Sequence, residues 1–169
     1  MDLVGVAEVV SAVAVVFGLG FAVSEVKRYR TRRARESALA LVNAYQTPEF
    51  ARAVVLIIEL DEALERAELE RRLGQDMRLI SLLMTTWESL GILVHRGEVS
   101  LDLVDDFFSG AIVLSWRKLE AFVRQMRSEG ERETYFEWFQ WLAERMIERE
   151  TETVPIPAHI EHANWRPRR

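Results

Sequence analysis

Cysteine is absent from all 169 residues. Disulfides, thiolate zinc sites, iron–sulfur clusters and cysteine nucleophiles are thereby excluded together. A Gly-x-Ser-x-Gly elbow, a Walker loop and a Gly-x-Gly-x-x-Gly turn are also missing, so neither a serine hydrolase nor a nucleotide enzyme has a positive signal. There is no Asn-Gly hairpin and no sustained two-residue alternation, which argues against a sheet. Basic charge is scarce over most of the chain: from Glu36 onward, 16 basic residues stand against 24 acidic ones. That balance argues against nucleic acid as a partner, because duplex binding draws on Lys and Arg to neutralise phosphates.

What is present begins with a run of 21 residues, Leu3 to Val23, in which Glu8 is the sole charge. As a helix at 1.5 Å per residue it covers about 30 Å, the thickness of a hydrocarbon core. Glu8 lies near the outer end, where it can snorkel toward the interface. Asp2 precedes the run and Lys27, Arg28, Arg30, Arg32, Arg33 and Arg35 follow it, the reverse of a cleavable signal peptide. Positive residues next to a span are retained in the cytoplasm. The sequence therefore predicts a single-pass anchor in the cell inner membrane, N-terminus outside and C-terminal domain cytoplasmic. The same cations attract anionic headgroups, making membrane lipid an expected partner. Ala7, Ser11, Ala14, Gly18 and Ala22 follow steps of 4, 3, 4 and 4, a small-residue face suited to close helix packing and hence to a homo-oligomer.

No Gly or Pro interrupts from Phe21 to Gln46, so the spanning helix is expected to continue into the cytoplasm. Thr47-Pro48-Glu49 then reads as an N-cap, a proline at the first helical position and an acid in the first turn. Phe50, Val54, Ile57 and Ile58 form the apolar stripe of that helix. Charges alternate from Glu59 to Arg72 as a solvated face, and Gly74 ends the segment. Met77 to Val94 reads as a central core helix closed by Gly97. Ser100 caps a helix with Leu103, Val104, Phe107 and Phe108 inward; Gly110 bends or splits it, and it resumes from Ala111 to Gly130. The last strong helix spans about Arg132 to Arg149, and beyond Thr151 an extended arm is expected to pack on the bundle through Ile156, Ile160 and Trp165. The expected fold is all-α: an anchor with its basic flank (1–35), a helical bundle (36–150) and a C-terminal arm (151–169).

The run Trp87-Glu88-Ser89-Leu90-Gly91, then Gly97, the helix with Val104, Phe107 and Phe108, and then Trp116-Arg117-Lys118-Leu119 together resemble the bacterial DUF4760 family. The likeness covers roughly Ala38 to Trp141. It implies a helical domain often preceded by a membrane helix, and supplies no reaction, ligand or site residue.

Glu88 and Arg117 each follow a tryptophan in an apolar helix and are expected to point inward as a buried pair that fixes helix register. His159, Glu161 and His162 form the nearest approach to a metal cluster, but a zinc site needs further ligands, so no metal or other cofactor is expected. Asp102, Asp105 and Asp106 favour the positive end of their helix. The aromatic stretch from Tyr135 to Trp141 covers more than one helical face and is readable as core or as interface. The expectation is thus a non-enzymatic, membrane-tethered interaction, scaffold or regulatory protein. An accessory subunit of a transporter or channel, and an enzyme with an unrecognised site, are the alternatives.

Overall fold

A computed structural model describes Phe21, Glu25, Glu36, Tyr45, 47–152, 154 and 156–167. The chain divides into two compact units, Met1–Ala44 and Tyr45–Arg169. The apolar run Leu3 to Val23, its small-residue face and the six cations from Lys27 to Arg35 lie outside the described residues. So does nearly all of the expected continuous helix to Gln46, of which Phe21, Glu25, Glu36 and Tyr45 are helical.

In the second unit the helices are α1 (Pro48–Glu59), α2 (Arg66–Leu73), α3 (Met77–His95), α4 (Leu101–Gly130), α5 (Glu137–Glu152) and the one-turn α6 (Ala158–Glu161). A 3-10 turn, Gly74–Asp76, joins α2 to α3. Among the described residues there is no strand. The core is formed where α3 packs on α1 and α5, and α4 closes over α5 and α1.

Two helices begin as their sequences dictate. Thr47 is extended and its Oγ1 accepts the Phe50 N–H at 3.2 Å; Ser100 does the same for Leu103, also at 3.2 Å. Each side chain satisfies an amide that has no intrahelical partner. Gly97, at φ +71°, turns the chain out of α3, and the Glu98 N–H bonds back to Leu93 O at 3.0 Å. α3 buries Leu79, Ile80, Leu83, Met84, Trp87 and Leu90. The stretch Arg66–His95 is the one among the described residues long and apolar enough to cross a membrane. It is divided at Gly74, φ +50°, and Leu69, Leu79, Ile80, Leu83, Met84, Trp87 and Leu90 from it are buried in this core.

Several expectations are corrected. Gly110 does not split α4, which runs unbroken for 30 residues, about 45 Å. The charged stretch after α1 is interrupted, because Leu60 is extended and Ala63 adopts φ +56°. α5 starts five residues later than expected, since Phe136 sits at φ +53° and the chain before it is turned. On α1 the buried set is Phe50, Ala53 and Ile57, with Ile58 turned outward, and on α4 Phe107 is likewise exposed. The arm does not pack on the bundle: Ile156, Ile160 and Trp165 are all exposed.

Candidate functional site

The residues from Trp87 to Gly91 meet the start of α5. Trp87 is fully buried, with its ring among Tyr45, Phe50 and Phe108 and its Nε1–H donating to Ser115 Oγ at 3.3 Å. One residue on, the Glu88 carboxylate accepts the Phe139 N–H at 2.7 Å. Phe139 lies in the first turn of α5, where amides lack partners and the helix dipole is positive. Glu88 therefore caps α5 from another helix. Gly91, one turn further along α3, lets the two backbones approach: a Cβ there would lie 2.4 Å from Trp138 O.

A second cap uses the opposite charge. Lys118 is only 9% exposed, and its ammonium donates to Ile58 O at 3.0 Å and to Leu60 O, at the C-terminal end of α1. A cation there answers the carbonyls and negative dipole end that α1 leaves open. A third cap is neutral. Glu65 makes no cap bond, and Gln125 Oε1 on α4 accepts the Arg66 N–H at 3.0 Å at the start of α2. Arg127 ties the turn before α5, donating from Nε to Tyr135 O at 2.8 Å and from Nη1 to Gln140 Oε1 at 2.6 Å.

The expected Glu88–Arg117 pair does not form. Arg117 is exposed, while Glu88 is half-buried against α5. The inward cation on α4 is its neighbour Lys118, whose four-carbon stem crosses the apolar layer to reach polar carbonyls. Asp102 and Asp105 receive Arg149 from α5 at 2.8 and 2.9 Å, fixing the far end of the α4–α5 pair, whereas Asp106 is exposed. His162 lies 3.9 Å from Glu161 in the exposed arm, and no group of three or more metal-binding side chains occurs among the described residues. The aromatic stretch divides: Phe139 is fully buried and edge-on to Trp116 at 5.2 Å, while Trp138 and Trp141 are half-buried beside His95, at 4.7 and 5.8 Å. An open cleft of about 580 Å³ lies between the α4–α5 pair and the arm, lined by Asp105, Arg149, Glu150, Glu152 and Ile156 among others.

Burial pushes the Glu88 carboxyl above its usual range, the amides of Phe139 and Trp138 pull it back, and the charge of Glu137 adds to the rise. The folded chain then binds this proton more tightly than the unfolded chain. Its contribution to stability is full below the ordinary value of 4.5 and is lost as pH rises through the folded value. Glu88→Gln keeps an acceptor for Phe139 and removes the titration. In urea titrations the stability of Glu88→Gln relative to wild type is expected to increase from about pH 4 to about pH 7. A constant or falling difference would contradict burial as the dominant cause.

The chain matches the family described as a domain of unknown function (DUF4760) over residues 6–146. No characterised protein and no solved structure matches it.

Proposed function

Because the chain belongs to the DUF4760 family, matched from residue 6 onward, we propose that the apolar run Leu3 to Val23 is part of the family architecture and anchors a non-enzymatic interaction or scaffold domain at the inner membrane face. The observation that carries this reading is the position of that match. It begins inside the apolar run and continues through the basic flank into the helical domain, which supports reading the run and the domain as one inherited unit. Six cations directly after the run favour an outward N-terminus and a cytoplasmic domain.

The side chains of the domain support a scaffold in preference to a catalyst. Glu88, Lys118, Gln125, Arg127 and Arg149 are committed to helix ends and turns. On the outer side of α1, Val55 and Ile58 are exposed, as is Leu82 on α3, a surface suited to protein partners.

Topology reporters at the C-terminus test the anchor. A green fluorescent protein fusion is expected to fluoresce, an alkaline phosphatase fusion to stay inactive, and the chain to resist alkaline extraction from membranes. An active phosphatase fusion would reverse the orientation, and release by alkali would remove the anchor altogether.

A further inference from the structure

Within the Tyr45–Arg169 unit, the arm is the part whose large apolar side chains are least covered. Val154 is 80% exposed, Ile156 56%, Ile160 58% and Trp165 67%. These four lie within twelve residues of one another, and none of them is buried. Their charge setting also differs from that of the domain. Residues 153–169 hold Arg166, Arg168 and Arg169 against the single acid Glu161, a net +2. Residues 36–152 hold 13 basic and 23 acidic residues, a net −10. Despite this excess of carboxylates, the Arg166 guanidinium donates to the adjacent Trp165 carbonyl at 2.9 Å and pairs with no acid among the described residues.

We propose that the C-terminal arm is a second membrane contact, in which Ile156, Ile160 and Trp165 enter the headgroup boundary of an anionic phospholipid surface and the three arginines supply the attraction. The chemistry selects this occupant. Tryptophan beside arginine suits the water–hydrocarbon boundary, where the ring lies in the apolar layer and the cation among phosphates. An anionic surface repels the acidic body and attracts the chain at its two basic segments, the flank from Lys27 to Arg35 and this arm. The inference rests on the anchored reading above, since the anchor holds the arm near the bilayer and raises its local concentration there.

The absence of cysteine makes the test clean, because Asn164→Cys gives one labelling site beside Trp165. The full-length variant, carrying an environment-sensitive fluorophore at that cysteine, is reconstituted in phosphatidylcholine vesicles with or without phosphatidylglycerol. A blue shift is expected with phosphatidylglycerol and not in neutral vesicles or detergent. Replacing Arg166, Arg168 and Arg169 with Glu should lower the bound-to-free ratio of the arm by at least roughly a hundredfold, and added salt should weaken it further. Trp165→Ser should also reduce the shift without altering the helical content of the domain.

Water-like emission in both lipids overturns the proposal. An equal shift in neutral vesicles overturns the assignment to an anionic surface, and a shift already present in detergent gives the arm to its own bundle or to a second copy. Alkaline extraction of the same vesicles reports the anchor separately. A retained chain with water-like label rejects the arm alone, and a stripped chain whose label had shifted rejects the anchor alone.

Discussion

Trp87→Ala is expected to destabilise the helical domain by about 3–5 kcal/mol, a large part of the stability of any domain of this size. Trp87 has no exposed surface, and its ring stacks on Tyr45 at 6.0 Å and meets Phe50 and Phe108 at 5.5 and 5.7 Å. Truncation opens a cavity bordered by α1, α3 and α4, and three helices tied at their ends collapse into it only partly. The lost hydrogen bond is the smaller part, about 1 kcal/mol. Ser115 Oγ still donates to Ala111 O at 2.6 Å, so no buried hydroxyl is orphaned. Trp87→Phe, which loses the N–H but keeps an aromatic ring, should therefore cost much less than Trp87→Ala. Chemical denaturation of the full chain in mild detergent measures both. Equal losses from the two variants would assign the effect to the hydrogen bond and not to packing.

The second large effect is one of sign. Alanine exceeds glycine in helix propensity by about 1 kcal/mol, so Gly→Ala within an exposed helix stabilises. Gly110 fits that case: it is exposed in mid-α4 with nothing within 4 Å of an added Cβ, and Gly110→Ala is expected to raise Tm. Gly91 is the opposite case. Its added Cβ would stand 2.4 Å from Trp138 O and 2.9 Å from Trp138 C, backbone atoms that no rotamer change can move. α5 would have to retreat, and Glu88 would lose Phe139. Gly91→Ala is thus expected to cost about 2–3 kcal/mol net despite the propensity gain. Thermal melting followed by near-ultraviolet circular dichroism compares the two. A Gly91→Ala variant as stable as wild type would mean that the α3–α5 contact is looser than described.

What the sequence disclosed and what it hid follow one physical division. Helix starts closed by their own neighbours were legible: Thr47 and Ser100 each lie three residues before the amide they cap, a spacing any reader can find. Ends closed by a different helix were not. Glu88 could be read as inward-facing, but its partner is a backbone amide, and amides leave no mark in a sequence. Arg117 and Lys118 both come just after Trp116 in an apolar stretch, and adjacency to the tryptophan pointed to the wrong one: Lys118 shares helical spacing with the buried Ser115 and Phe122, and its stem reaches the carbonyls at the end of α1. The break after α1 was equally hidden. Neither Gly nor Pro stands between Leu60 and Glu65, and Ala63 takes its positive φ from tertiary context. For the same reason the residues that carry the family likeness, Trp87 to Gly91 and Trp116 to Leu119, gave a fold and no activity: they are the joints of the bundle.

Those joints also govern the order in which the chain can be completed. Glu88 waits for Phe139 across 51 positions, Arg66 for Gln125 across 59, and the carbonyls of Ile58 and Leu60 for Lys118 across 60 and 58. A nascent chain leaving the ribosome holds α1 with an open end until Lys118 has been synthesised and α4 has docked. Helix completion and bundle closure become a single kinetic event, with the loop-closure entropy of those spans included in its barrier.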